Sequence, residues 1–370
     1  MDNKVHICHH SDLDGYSAAY VAKRYCDSCM IPAEFVKFHE MDYDTLFPFT
    51  EIAEEDVVII VDFSLHTKIM QQLLEKTPNV IWIDHHISAI KSYDTHDYDM
   101  SKTVVSILSN MEMTEVENDI FSPYGYEDEY VKPYEVVFSP YKNGDTLAGF
   151  RSTKFCGAVN AWIYFNIIGQ IAAKYHAHTT YVGDVRNCFM YPKIIEDPIE
   201  FTADDIYVPY MLELVNDWDL FIKKSEQSSY LNTYFGAHKD VMHPTSNTWN
   251  TMWNDSHYIA HLCKDGAIME TYKKKSWERI ALLGVYPTEI DGIPALACNC
   301  PNANSDLFNS VKNIDEFKDL KILILFSRLG TKDWRYQLYS DEVDVSEICK
   351  RHGGGGHRGA AGFFSDDLIV

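Results

Sequence analysis

Three short stretches of this chain combine residue types and spacings that could do chemistry. Ile81-Trp82-Ile83-Asp84-His85-His86 sets an acid and two imidazoles at the end of an apolar run. His10-x-Asp12-x-Asp14-Gly15 follows a second such run, and Asp62-Phe63-Ser64 follows a third. Carboxylates beside imidazoles suit a hard-to-borderline divalent cation such as Mn²⁺, Mg²⁺, Fe²⁺ or Zn²⁺. In an extended turn, alternate residues point to the same side, so His10, Asp12 and Asp14 can converge without distorting the chain. An Asp ahead of a helix is also an ordinary N-cap, but capping alone does not ask for His, Asp and Asp at alternate positions. A fourth stretch offers a different chemistry. Gly353-Gly354-Gly355-Gly356-His357-Arg358 brings bare backbone N–H groups close to an anion, with two side-chain donors beside them, which points to phosphate recognition. The small residues that follow, Gly359 to Gly362, suggest a helix start whose dipole would add to that attraction.

Positioning these groups requires an open α/β sheet. Val5–His9, Ala33–Phe38, Val57–Val61 and Val80–Ile83 read as strands, with helical sequence over Tyr16–Tyr25 and Lys68–Glu75. Continuous apolar strands alternating with helices predict a parallel sheet covered on both faces. Right-handed crossovers then bring the strand ends, and with them Asp12, Asp14, Asp62 and His85, to one rim. Residues 93–150 are rich in Asp, Glu, Tyr and Pro and read as an acidic surface insertion, with a hairpin near Val136–Phe138 and Asn143-Gly144. An apolar helix is expected from Gly157 to Ala173 and another from Asp204 to Val215. Asp184, or the Asn216-Asp217-Trp218-Asp219 segment, could add a further carboxylate to the cluster; the second is favoured because it follows an apolar helix face.

The expected domains are 1–235, a linker over 236–256, and 257–370. The last begins with a helix over His257–Arg279. Four strands follow, Ile280–Tyr286, Ile293–Cys298, Ile322–Arg328 and Trp334–Ser340, in a mixed or antiparallel sheet, and then a short helix over Val345–His352 leads to the glycines.

Composition narrows the function further. The chain has 370 residues and is 46% hydrophobic and 14% aromatic, ample for two buried cores. No apolar run approaches the roughly 20 residues of a membrane span, and the start of the chain lacks a signal-peptide core, so a cytoplasmic location and no membrane partner are expected. Nine scattered cysteines argue against a disulfide framework, and Cys26-x-x-Cys29 and Cys298-x-Cys300 lack matching partners for zinc. A formal net charge of −23 without a basic stripe argues against a long nucleic acid as partner. Any nucleic-acid substrate should be short, with cations supplying much of the positive charge.

Together, His10-x-Asp12-x-Asp14-Gly15, Asp62, Asp84-His85-His86 and Gly353-Gly354-Gly355-Gly356-His357 resemble the DHH phosphoesterase family with its associated C-terminal substrate-binding domain. The Asn216-Asp217-Trp218-Asp219 pattern and the residues around the glycine run are most similar to the small oligoribonuclease (nanoRNase) branch. RecJ-like exonucleases share the front motifs but are larger, and family II pyrophosphatases lack the glycine run. The acidic insertion departs from the compact family pattern.

The resemblance implies a phosphodiesterase that cleaves short oligonucleotides or dinucleotides to mononucleotides by metal-activated hydroxide attack on phosphorus. It implies two divalent cations, Mn²⁺ first and Mg²⁺ or Co²⁺ as alternatives. His10, Asp12 and Asp62 would take one cation, and Asp14, Asp62, His85 and Asp219 the other, with Asp217 or Asp184 as substitutes for Asp219. His86 would face the substrate phosphate, Asp84 would orient the histidines, and Gly353, Gly354, Gly355, Gly356, His357 and Arg358 would hold substrate. Cyclic mono- or dinucleotides and 3′-phosphoadenosine 5′-phosphate are alternative substrates. A nucleotide-sequestering protein without catalysis is the alternative of another class, and self-association as a homodimer is left open.

Overall fold

A computed structural model describes residues 3–42, 45–86, 89–90, 135–137, 147–174, 180–189, 207–330 and 333–370. The chain divides into two compact units, the first reaching Ala267 and the second running from Ile268 to Val370.

The first unit is built on a six-stranded sheet: β1 (Val5–His10), β2 (Val36–Met41), β3 (Val57–Val61), β4 (Val80–Asp84), β5 (Glu135–Val137) and β6 (Ala148–Arg151). Their order is β2-β1-β3-β4-β6-β5, all parallel except for the antiparallel edge strand β5. β3 shows why this sequence makes a central strand. Its five β-branched residues are buried, and they alternate between two cores. Val57, Ile59 and Val61 face one core with α1 (Leu13–Ser28) and α3 (Gly157–Lys174), and Val58 and Ile60 face the other with α2 (Thr67–Lys76). A strand buried on both faces needs this all-apolar composition. β1 has β2 on one side and β3 on the other, so the order reverses there, and a crevice at such a reversal is where open α/β sheets bind ligands. His10 ends β1 and Asp62 directly follows β3.

Several boundaries differ from expectation. The end of the supposed insertion, Ala148–Arg151, is a buried strand of the sheet, pairing in parallel with β4 from Ile81↔Ala148 to Asp84↔Arg151. Four residues interrupted by Gly149 carry too little pattern to announce a strand. Only residues 135–137 and 147–150 of the expected insertion, and none of the Asn143-Gly144 turn, fall within the described residues. The second apolar helix begins after Pro209, as α4 (Tyr210–Asp219), so Asp217 and Asp219 lie in its last turn. Residues 236–256, expected to link domains, instead hold α6 (Asn247–Asn254), which buries Trp249 and Met252 in the first core after α5 (Glu226–Ala237). The unit boundary falls inside the 29-residue helix α7 (Ser256–Gly284). That helix also absorbs Ile280–Leu283, expected as strand; Ile-Ala-Leu-Leu suits either state, and Gly284 marks where it stops.

The second unit carries a sheet ordered β11-β12-β10-β9-β8-β7, from β7 (Val285–Ile290), β8 (Ile293–Asn299), β9 (Ile322–Leu329), β10 (Asp333–Tyr339), β11 (Gly355–His357) and β12 (Ala360–Ser365). Only β8 and β9 pair in parallel, so the sheet is mixed. One face packs on α8 (Val345–Arg351) through Tyr336, Leu338, Ile348 and Phe363. The other packs on Trp277, Leu307 and Phe308 through Leu296, Cys298 and Leu325. The fold is thus α/β, a parallel-sheet unit with helices on both faces followed by a smaller unit with a mixed sheet. All nine cysteines are free and buried, and no described helix is long and apolar enough to cross a membrane.

Candidate metal centre

The carboxyl ends of β1, β3 and β4 bring four of the sequence segments together. Among the described residues, ligand atoms of His10, Asp12 and Asp62 lie within 4.8 Å of one another, as do those of Asp14, His85 and Asp219. A third group, Asp62, Asp84, His85 and His86, meets the same limit.

Each member is held by a local device. Asp12 N-caps α1, its Oδ1 accepting from the Gly15 N–H at 3.0 Å, while its Oδ2 meets His10 Nδ1 at 2.8 Å. The capping and the ligand-like readings of this residue therefore coexist. Asp14, in the first turn of α1, is almost fully buried and receives the N–H groups of Gly157 at 2.6 Å and Ala158 at 2.8 Å, the start of α3. The positive end of a helix is a favourable seat for that carboxylate. Asp62 adopts φ 51°, left-handed backbone that costs free energy in a non-glycine residue and is common among Asp and Asn at functional turns. Gly157 packs so tightly on Asp62 that a Cβ there would lie 2.4 Å from the Asp62 Cβ.

Asp84 does not share its oxygens freely. Oδ1 accepts from the His85 and His86 N–H groups and pairs with His86 Nδ1 at 2.7 Å, and Oδ2 accepts from the Ser64 hydroxyl. A carboxylate only accepts, so His86 carries its proton on Nδ1 and keeps Nε2 for another partner. Asn160 knits the floor of the site, its amide donating to the carbonyls of Asp84 and Ser152 at 3.1 and 2.8 Å.

At the centre, His85 Nε2 stands 3.1 Å from Asp62 Oδ1, 3.5 Å from Asp219 Oδ2 and 3.7 Å from Asp14 Oδ2. Asp62 Oδ1 and Asp219 Oδ2 are nonetheless buried without a hydrogen-bond partner. The contact between His85 and Asp62 is close, but the geometry is not that of a hydrogen bond. Buried polar atoms without partners are costly. Asp219 also sits at the C-terminal end of α4, where helix carbonyls already concentrate negative charge. Burial pushes the Asp14 and Asp62 carboxyls well above the usual range, and the facing carboxylates push the same way: Asp62 and Asp219 on Asp14, Asp12 and Asp219 on Asp62. Burial raises Asp219 too, with Asp12 adding to the rise. Burial opposes the charging of His85, yet Asp219 and Asp14 hold it above its ordinary value. Asp84 goes the other way. Against the upward push of burial, the His86 hydrogen bond and charge, with His85 and Ser64, bring it down to about 2.

Converging carboxylate oxygens that lack donors, beside imidazoles, fit divalent cations, which would satisfy the orphaned atoms and relieve the mutual repulsion. The two sequence-named substitutes for Asp219 are occupied elsewhere. Asp217 takes the N–H groups of Lys224 and Ser225 and the Ser228 hydroxyl, and Asp184 pairs with Arg186 and Asn3. Sequence reading missed the amides of Gly157 and Ala158, Asn160, and the Ser64 hydroxyl. Only Ser64, two residues after Asp62, lay beside a recognisable motif.

The glycine run is arranged differently from expectation. Gly353 N–H bonds to the Lys350 carbonyl at 3.1 Å and Gly354 N–H to the Cys349 carbonyl at 2.8 Å, closing the end of α8 with Gly353 at φ 80°. These two amides are thus engaged within the fold. Gly355 and Gly356 pair with Gly362 and Ala361 in a β-hairpin, so a strand follows the run instead of a helix start. Arg358 is exposed, and the side chain of His357 lies outside the described part of the structure.

No family model matches the chain. The uncharacterized protein R106 of Acanthamoeba polyphaga mimivirus is 27% identical over 177 residues, 44% of this chain. The match spans only 38% of that relative's length. Among solved structures, the DHH domain of a member of a family of ribosomal proteins is similar with a TM-score of 0.51 at 12% identity, covering 98% of this chain and 82% of its own. RecJ of Thermus thermophilus, in complex with Mn²⁺, is similar with a TM-score of 0.43 at 12% identity, over 99% of this chain and 50% of the RecJ chain. The likeness to the first of these solved structures shows that the chain has the fold of a DHH domain.

Proposed function

We propose that this protein is a divalent-metal-dependent phosphodiesterase that hydrolyses short oligonucleotides to mononucleotides. The observation that carries the reading is the meeting of Asp14, Asp62, Asp219 and His85 with two buried carboxylate oxygens left without donors. His10, Asp12 and Asp62 would hold one cation and Asp14, Asp62, His85 and Asp219 the other. Bound there, the pair supplies the Lewis acidity that activates water and offsets charge on the phosphoryl oxygens.

The chain's own groups do the rest. Asp84 fixes the ring of His86 through Nδ1 and raises its affinity for a proton, against the cost of burial. When protonated, His86 offers Nε2–H as a charged donor to a phosphoryl oxygen, its ring already oriented before substrate arrives. The Asp14 carboxylate, anchored on the start of α3, keeps its orientation as charge develops. Arg358 and the glycine run are proposed to hold a terminal phosphate.

The charge of −23 supports small phosphodiester substrates over long polyanions. Product analysis on 5′-labelled RNAs of two to twenty nucleotides with Mn²⁺ tests this. Mononucleotides released from the shortest RNAs, and sparing of the longest, are expected. A parallel panel of cyclic nucleotides and a 3′,5′-bisphosphate separates the alternatives, and turnover confined to either class would replace the oligonucleotide reading.

A further inference from the structure

Among the described residues, the second unit's sheet has one open half-face. Directly opposed residues of an antiparallel pair share a face, and the register Ser327↔Arg335↔Phe364 therefore sets these three side by side. The next row reads Leu325↔Gln337↔Gly362↔Gly355. Leu325 belongs to the core closed by Trp277, Leu307 and Phe308, so this is the face those residues cover over β8 and β9. Over β10, β12 and β11 it opens. Phe364 is 61% exposed, Arg335 is exposed, and Gln337 is half-buried. Phe363, its neighbour on β12, is buried on the opposite face, so the exposure of Phe364 is set by the pleat and not by a frayed end.

A single exposed aromatic needs no explanation. Here its surroundings are specific. Beside Phe364 the sheet carries no side chains at Gly362 and Gly355, and the place a Cβ would take at Gly355 is open space. An aromatic ring therefore stands next to a bare backbone floor, with a guanidinium opposite it and a carboxamide one row away. A flat π-system with hydrogen-bonding edges fits this face: the ring and Arg335 offer stacking surfaces, and Gln337 offers both a donor and an acceptor. The space over Gly355 is open, although a Cβ at Gly362 would meet the Tyr336 carbonyl oxygen at 2.8 Å.

We propose that Phe364, Arg335 and Gln337 form a nucleobase-stacking subsite on the β12–β10 face of the second unit. The proposal rests on the oligonucleotide reading for its ligand class, and it adds that the protein holds a base as well as a phosphate. Its preference should follow stacking strength, with little sequence selectivity, because every base has a π-face.

The test uses the full-length protein with Mn²⁺ and two substrates, a 5′-phosphorylated diadenylate and its counterpart with abasic sugars. Wild type is expected to show a KM roughly 10-fold lower for the base-bearing substrate, in keeping with one aromatic–base stack. Phe364→Ala should collapse that preference toward unity, and Phe364→Trp should restore it. Because Phe364 is exposed, neither variant threatens the core. A preference unchanged in Phe364→Ala overturns the subsite. Photocrosslinking with a 5-iodouridine dinucleotide reads the same site without turnover. If wild type hydrolyses neither substrate, the hydrolase reading fails, and the subsite stands or falls on whether an adduct maps to Phe364.

Discussion

Two regions of this molecule advertise chemistry in similar ways, and the folded chain treats them differently. At the rim of β1, β3 and β4, ligand-type residues separated by up to 209 positions, from His10 to Asp219, come together and leave carboxylate oxygens without donors. At the glycine run, the backbone amides that looked available are partly taken: Gly353 and Gly354 close a helix and Gly355 and Gly356 enter a hairpin. The first region holds buried carboxylate oxygens without donors, whereas the second already engages the Gly353 and Gly354 amides inside the fold. Unsatisfied buried groups are expensive and persist where something else completes them, whereas glycines have architectural uses as common as their functional ones.

Breaking the first region should have the largest consequence. Asp62→Ala removes a carboxylate shared by two of the proposed ligand groups and is expected to lower kcat by at least about a thousand-fold. Calorimetric titration with Mn²⁺ should show loss of a binding event in the same variant. Retained turnover and retained Mn²⁺ stoichiometry would remove Asp62 from the centre. Asp84→Asn leaves the ligand groups in place but exchanges the charged acceptor of the His86 ring for a neutral one, and a loss of roughly 10–100-fold in activity is expected from such an orienting partner.

Gly157→Ala sharpens the comparison from the packing side. Its methyl group would collide with the Asp62 Cβ, so a destabilisation of about 1–3 kcal/mol is expected together with weaker Mn²⁺ binding. Denaturant midpoints with and without Mn²⁺ measure both effects. Gly353→Ala, in the second region, should cost only about 1 kcal/mol through its left-handed backbone and leave Mn²⁺ affinity unchanged. Equal effects of the two substitutions on Mn²⁺ binding would erase the distinction between the regions.

The pH dependence of the metal-free protein gives the gentlest test. Asp14, Asp62 and Asp219 hold their protons more tightly folded than unfolded. Their contribution to stability therefore falls as pH rises from the unfolded value of about 3.9 toward their higher folded values. Asp84 has the opposite sign: its contribution is full above about 3.9 and is lost as pH falls toward about 2. Thermal melts should show the Tm gain on adding Mn²⁺ growing as pH rises above about 4, since the cation replaces the protons those acids would otherwise keep. A gain independent of pH would mean that these three carboxyls do not bind the added cation.

Much of this was legible in the chain itself. Val57–Val61 reads as a continuous apolar strand, and the parallel sheet then put Asp12, Asp62 and His85 on one rim. The strand at Ala148–Arg151 was hidden by its brevity, and the boundary inside α7 by a helical pattern that runs unbroken across it. The choice of Asp219 over Asp217 depended on helix phase. Two residues apart in the last turn of α4, one points to the cluster and the other to the amides after Phe221.

Local sequence determined which residue types stand at each strand end, because side-chain alternation and strand burial are short-range properties. Tertiary structure alone decided that the start of α3 grips Asp14, that Asn160 secures the carbonyl of Asp84, and that Phe364 is left uncovered. Those outcomes depend on contacts between segments far apart in the chain, whose approach is set by packing and leaves no periodic trace in the order of residues.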